Sequence, residues 1–452
     1  MTFDHTKLAP EWQRAFAFAE SKVGGRIVGA ERQPRWRPAW FLDIERPDGT
    51  HVPIYLRGAR GEAADGDDRL RHESTCLELL EKHGIPVPHV HGFHHEPEAI
   101  VMDKAAGRIN LATVENPTER KAIRDHYMQI LADIHRIDLA GFQRAGLALP
   151  ASSDDLALGD FDTWVASYRS TKKRPEPAIE FAVDWLHRNV PKGRERTSFL
   201  VGDSGQFLFD QGRVTAVIDV ELAYLGDPAA DLGGLLARDL SEPLGDLEDA
   251  MRTYEEASGE PVDRRVVLYH AIRFGMVTPL ATAVQVAAPN AATDFLQYFV
   301  WYLTYARCPL ELIAHLEHID IQSAELPTES LSPWAIGHDV LQARLASFER
   351  EDPYEAYQIE AVRRTAEYLR RADRHGPALE AVDLDEAGEL LGDRPASWQE
   401  RDVALEELVV SNRGERDAEL LRYFVRRLQR QEFLVEPVAK ELRGARMQTL
   451  GA

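Results

Sequence analysis

The sequence predicts an α+β chain: a small antiparallel sheet with one inserted helix, then a mostly helical body, then further helices at the C-terminus. Three observations carry this prediction. Strand-like and helix-like runs alternate over about residues 10–110. From about 111 the apolar residues recur at helical spacing, interrupted by one stretch of short strands near 201–219. Beyond a break near Pro327 to Pro333 the pattern is nearly all helix. A chain of 452 residues is too long for one ordinary core, so three regions are expected, 1–104, 105–330 and 335–452.

The elements follow in order. Trp40-Phe41-Leu42-Asp43-Ile44 and Val52-Pro53-Ile54-Tyr55-Leu56 are β-rich runs around Pro47-Asp48-Gly49, a hairpin signal. Leu70, Leu77 and Leu80 then step at helical spacing, with Gly84 placed to end that helix. Pro86-Val87-Pro88 leads into two more strands around Glu96-Pro97, the second being Ala99-Ile100-Val101-Met102. Tyr127, Ile130, Leu131 and Ile134 mark one amphipathic helix; Phe181, Val183, Trp185 and Leu186 mark another. The aromatics from Phe295 to Tyr305 read as core. Near the C-terminus, Ile359, Val362, Ala366 and Leu369 form one apolar stripe, and Leu420, Phe424 and Leu428 another. Arg426, Arg427 and Arg430 are expected in solvent on the side away from that last stripe.

Composition excludes several functions. The formal net charge is −22, from 75 acidic against 53 basic residues, which argues against counterion-releasing contact with nucleic acid. Two cysteines far apart, Cys76 and Cys308, cannot build a disulfide framework or a thiolate metal cluster, and both sit in apolar helical runs that suit packing. The N-terminal MTFDHTKLAPEWQRAF lacks the basic and apolar regions of a secretory leader, and no run approaches 18 uninterrupted apolar residues. A cytoplasmic protein without a membrane or nucleic-acid partner is expected. His89, His91, His94 and His95 lie close together, but no carboxylate or cysteine is placed to complete a metal set, so they read as a polar hairpin end.

The chemistry concentrates in Val201 to Asp231. Asp203 lies on a tight glycine-containing loop, and a hairpin returns the chain to a second aspartate, Asp219. Two carboxylates brought together in this way suit a reaction in which one activates a hydroxyl and the other holds a divalent metal. The ordered series Gly202-Asp203, Ile218-Asp219-Val220-Glu221, Gly226-Asp227-Pro228 and Asp231-Leu232 resembles the aminoglycoside phosphotransferase and choline kinase-like family, over about residues 20–320.

That resemblance implies a bilobal protein-kinase-like fold and ATP- and Mg²⁺-dependent phosphorylation of a small-molecule hydroxyl. It makes Asp203 the group that orients the acceptor hydroxyl and takes its proton. It assigns the metal to Asp219, Glu221 and Gln206, and the nucleotide phosphates to Arg57 paired with Glu73. Met102 and Lys104 fall in the hinge whose backbone holds the adenine. Arg57 in place of lysine resembles the branch of the family linked to acyl-CoA metabolism, as does the turn Ser258-Gly259-Glu260-Pro261-Val262-Asp263, so a hydroxyacyl-CoA or hydroxy acid is expected before an aminoglycoside. Asp227 reads as a turn cap and Asp231 as the cap of a helix starting at Leu232.

Three departures from the family pattern stand beside these matches. Val201 replaces the loop histidine. Gln206 stands three residues after Asp203, where the family has an asparagine five residues on. The phosphate-covering loop reads Arg32-Gln33-Pro34-Arg35-Trp36-Arg37-Pro38, without glycine, so backbone amides cannot wrap phosphates closely and Arg35 and Arg37 become candidate contacts. A pseudokinase or small-molecule-binding module is the alternative these departures define. Gly202-Asp203-Ser204-Gly205 also matches the nucleophile loop of trypsin-like proteases, but the surrounding helical text argues against a double β-barrel.

Overall fold

The computed structural model describes residues 8–34, 37–59, 68–290, 293–327, 332–348 and 351–451. Alternation of apolar residues builds the N-terminal lobe. Five strands, β1 (Arg26–Arg32), β2 (Ala39–Glu45), β3 (His51–Gly58), β4 (Val90–His95) and β5 (Glu98–Asp103), form an antiparallel sheet in the order β1-β2-β3-β5-β4. Trp40, Leu42, Ile44, Ile54, Leu56, Ala99 and Val101 point to one face and pack on Ala15, Phe16 and Ala19 of the helix Pro10–Val23. Period-two alternation therefore sends Phe41, Tyr55 and Arg57 to the opposite face.

The expected turns are in place. Gly49 adopts φ 82°, with its amide on Arg46 O at 2.9 Å. Gly84, at φ 79°, follows the helix Arg69–Lys82 inserted between β3 and β4.

Among the described residues the remaining regular structure is helical apart from four short strands, β6 (Ser198–Leu200), β7 (Phe207–Asp210), β8 (Arg213–Val217) and β9 (Tyr224–Gly226). β7 pairs with β8 and β6 with β9, both antiparallel. This small unit abuts the N-terminal lobe: the Val217 amide donates to Pro86 O at 2.7 Å, and the His72 ring bonds Ala223 O at 2.7 Å. The helix Arg264–Ala287 is long and apolar enough to cross a bilayer, but 78% of its apolar window is buried among the other helices.

The helices from Pro353–Leu391 onward, in the region expected as a module of its own, share one continuous apolar core with those of 105–330; Phe181 meets Phe424 with ring centroids 5.8 Å apart. Two expectations about side chains here need correcting. Arg427 and Arg430 are not in solvent: Arg427 pairs with Asp402 at 2.8 Å and Arg430 with Asp383 at 2.5 Å. The reason is that the helix Asp417–Val435 packs against both Phe295–Leu316 and Pro353–Leu391, which brings these two arginines against buried carboxylates. Conversely, Val362 and Leu369 are half exposed, and of their stripe only Ala366 is buried. Cys76 and Cys308 are buried free thiols.

Asp227 anchors the corner after β9. It accepts the Ala229 amide at 3.0 Å and Arg194 at 2.9 Å, and lies 3.6 Å from His270. Burial raises its carboxyl, but His270, Arg194 and the Ala229 amide outweigh burial and hold it well below the usual aspartate range. Its contribution is therefore present above the unfolded aspartate value and is lost as pH falls. Asp227→Asn should cost about 2 kcal/mol in urea denaturation at pH 7, and the gap to wild type should shrink at about pH 3. A gap that stays constant between those two pH values would contradict the assignment.

Candidate active site

Four ionisable side chains from both lobes meet in the cleft. Arg57, near the end of β3, sends Nε to within 2.9 Å of Glu73 Oε2. The same guanidinium lies 3.2 Å from Glu221 Oε2 and bonds Asp219 Oδ1 closely. The carboxylate oxygens of Glu73, Asp219 and Glu221 all lie within 4.8 Å of one another, the group among the described residues fit to share a cation. Hard carboxylate oxygens in this number suit Mg²⁺, with phosphate and water completing the shell. Sequence folds them together in three local steps. Strand alternation turns Arg57 into the cleft, the first turns of the inserted helix bury Glu73, and the chain after β8 turns sharply at Asp219 with φ 60°. A non-glycine residue in that left-handed region is uncommon, and such conformations concentrate at functional sites.

The electrostatics follow from burial. Burial pushes Glu73 up to about 7; Arg57 opposes this, while Asp219 and Glu221 add to it. Burial also works against the charge of Arg57, but Asp219, Glu73 and Glu221 outweigh it and hold the guanidinium above its ordinary value. Arg37, from the glycine-free loop, is 2% exposed and bonds Glu221 at 2.6 Å. It reaches the carboxylates directly, which the sequence offered only as a phosphate contact. Arg35 lies outside the described residues.

The loop holding Asp203 is built on the helix Ala229–Arg238. Asp231 does not cap this helix, which already begins at Ala229. Its carboxylate instead accepts the amides of Val201 at 2.9 Å and Gly202 at 3.0 Å, and the His135 ring at 3.1 Å. The loop is thus braced from below, although Val201 has no polar side chain. Gly202 takes φ 83°, and a Cβ there would come within 2.1 Å of Leu222 O. Gly234 leaves room for Ser204, which is fully buried and donates to Asp231 O. A buried, bonded serine removes the protease reading.

Asp203 is one-fifth exposed and its Oδ2 accepts Gln206 Nε2 at 2.7 Å and Arg238 Nη2 at closer range. Burial raises its carboxyl, and Arg238 pulls it back. Gln206 therefore spends its nitrogen on Asp203, which leaves Oε1 as the atom for a cation. Arg238 was missed in the sequence, although it sits seven residues after Asp231 and thus on the same helix face.

At the hinge, Met102 is buried at the end of β5. The amide of Asp103 donates to His89 O at 2.9 Å, that of Lys104 donates to Pro53 O at 3.0 Å, and Lys104 Nζ sits 3.9 Å over the Phe41 ring. The next amide, Ala105, donates to no backbone carbonyl among the described residues. His89 and His91 are each paired with a carboxylate, Glu81 at 2.9 Å and Asp103 at 2.7 Å.

A five-stranded lobe with a buried Arg–Glu pair, set against a helical lobe with two aspartates on adjoining turns, defines the bilobal protein-kinase-like class. A Ralstonia eutropha protein named for the aminoglycoside phosphotransferases shares this fold at a TM-score of 0.52 and 18% identity, over 67% of this chain and 98% of that one. Residues 48–267 match the phosphotransferase enzyme family, and the chain carries a domain of that family. Mouse acyl-CoA dehydrogenase family member 10 is 30% identical over 176 residues, 36% of this chain and 16% of the relative. Human acyl-CoA dehydrogenase family member 11 is 28% identical over 235 residues, 49% of this chain and 29% of the relative. The chain spans less than a third of the length of these curated relatives.

Removing Arg57 should expose how the four charges depend on one another. Arg57→Met leaves the buried Glu73 and Glu221 and the partly exposed Asp219 without their shared cation and should cost about 3–5 kcal/mol in urea denaturation. Added Mg²⁺ should recover more stability in the variant than in wild type. A variant as stable as wild type would contradict the cluster.

Proposed function

We propose that the chain transfers the γ-phosphoryl group of ATP to a hydroxyl of a small molecule, with Mg²⁺. The observation that carries the reading is the meeting of Arg57, Glu73, Asp219 and Glu221 in the cleft, with Asp203 held nearby on a braced loop. Phosphoryl transfer needs positioning and charge neutralisation more than covalent help. Arg57 would bind the nucleotide phosphates, oriented by Glu73. Asp219 and Glu221 would hold the metal, whose chemistry is to neutralise charge developing on the phosphate oxygens. Ala105 offers an amide, and Asp103 and Lys104 offer carbonyls, to an adenine ring. Asp203 would orient the acceptor hydroxyl and take its proton.

The acceptor we favour is a hydroxyacyl-CoA or related hydroxy acid rather than an aminoglycoside. Support comes from Arg57 at the strand position and from the names of the relatives, both acyl-CoA dehydrogenase family members. The setting we favour is cytoplasmic, with a small-molecule substrate and neither nucleic acid nor membrane as partner. The second reading, a pseudokinase, is favoured by one specific feature. Arg37 sits on Glu221 where a glycine-rich loop would leave room for phosphate.

Thermal unfolding with and without Mg²⁺–ATP separates the two. Ligand at a hundred times its dissociation constant should add roughly 2.7 kcal/mol of stability to wild type. Asp219→Ala should lose that gain. Asp203→Asn should keep it while ADP formation with a panel of 3-hydroxyacyl-CoA thioesters, hydroxy acids and kanamycin stops. No stabilisation at any nucleotide concentration would overturn the phosphotransferase reading, and binding without turnover of any acceptor would favour the pseudokinase.

A further inference from the structure

Asp203 is held at one oxygen only. Its Oδ2 takes both Gln206 Nε2 and Arg238 Nη2, while Oδ1 is buried and has no hydrogen-bond partner among the described residues. An arginine that served only to stabilise the fold would normally fork onto both oxygens of its carboxylate, as Arg194 does on Asp227. A buried carboxylate oxygen left unpaired is costly, and a protein keeps one where a ligand group is to meet it. Arg238 has little else to hold: its nearest other carboxylate, Glu242, is 4.0 Å away, and its Nε has no hydrogen-bond partner.

The loop is shaped to admit this side chain. Gly205 takes φ 92°, and a Cβ there would stand 3.0 Å from Arg238 Cγ and 3.2 Å from Leu235. The helix Ala229–Arg238 thus presents three devices to one loop: Asp231 under the amides of Val201 and Gly202, Gly234 beneath Ser204, and Arg238 on Asp203. The loop that lost two residues and its histidine is positioned from the helix instead.

We propose that Arg238, outside the signature series, is a positioning residue for phosphoryl transfer. With Gln206 it fixes Asp203 through Oδ2, so that Oδ1 is the oxygen that receives the acceptor's proton. This inference rests on the phosphotransferase reading above. In the step it serves, the acceptor O–H gives its proton to Asp203 Oδ1 as the acceptor oxygen bonds the γ-phosphorus. The bond from that phosphorus to the β–γ bridging oxygen breaks, and ADP leaves with the electron pair. The proton on Asp203 then returns to solvent. Arg238 touches no reacting atom; it prevents the carboxylate from turning away.

The test compares wild type, Arg238→Met, Arg238→Lys and Arg238→Ala, following ADP formation from Mg²⁺–ATP with the best hydroxyacyl-CoA of the panel, and with water as acceptor. In Arg238→Met, kcat should fall about 100-fold or more, the scale of a misplaced general base, with KM for ATP and nucleotide affinity within about threefold of wild type. Arg238→Lys should recover part of the loss. Guanidinium ion at millimolar concentration should restore turnover to Arg238→Ala in a saturable way and leave wild type unchanged. A structural pair would show neither the kcat-only loss nor the rescue. Arg238→Met at wild-type kcat, or a loss that tracks stability and nucleotide affinity without rescue, would overturn this inference while leaving the phosphotransferase reading intact. Absence of turnover in wild type, with every acceptor and with water, would overturn both.

Discussion

The site depends on a single guanidinium shared by three carboxylates, two of them buried. Arg57 and Glu73 come from the N-terminal lobe, Asp219 and Glu221 from the chain after β8, so the same contact that collects the charges also joins the lobes. Such charges are stable together and costly apart, because a buried carboxylate without its partner carries an uncompensated desolvation penalty. Local structure answers to this requirement: a strand that turns its arginine inward, a helix that buries Glu73 near its start, and a left-handed turn at Asp219. Arg37 adds a second cation on Glu221. A metal–nucleotide complex arriving there would compete with arginine side chains for the same oxygens, a competition between charge-assisted bonds and metal coordination.

The second constraint is mechanical. The helix Ala229–Arg238 acts as a floor for the loop at 201–206, and its glycines matter because the loop lies so close to it. Asp231 does with two backbone amides and His135 what a polar residue at position 201 would otherwise do. Loss of the histidine in the loop is therefore not loss of the loop's support.

Much of this was legible in the sequence. The β-rich runs at 40–44 and 52–56 marked the sheet, and the family resemblance singled out Arg57 at the end of the second run. Spacing of Leu70, Leu77 and Leu80 marked the inserted helix, and the resemblance named Glu73 on it as the partner of Arg57; the burial of Glu73 emerged only in the fold. What stayed hidden has physical causes. The role of Asp231 depends on which amides lie beneath its helix, and a helix cap and a tertiary brace look the same in sequence. Arg238 and Arg430 read as ordinary charged helix residues because their carboxylate partners are 35 and 47 residues away. Val362 and Leu369 fit a helical stripe, but nothing in periodicity says whether a neighbouring helix covers it.

The central claim, that Asp219 and Glu221 hold a divalent cation against a nucleotide paired with Arg57, is tested most directly by electron paramagnetic resonance. Mn²⁺ would replace Mg²⁺ and be titrated with the full chain in the presence of ATP. The account predicts one tightly held Mn²⁺ per chain, dependent on nucleotide, with affinity falling by at least about 10–100-fold in Asp219→Asn. Equal Mn²⁺ binding in wild type and Asp219→Asn would contradict it, as would tight binding that persists without nucleotide and survives Glu221→Gln.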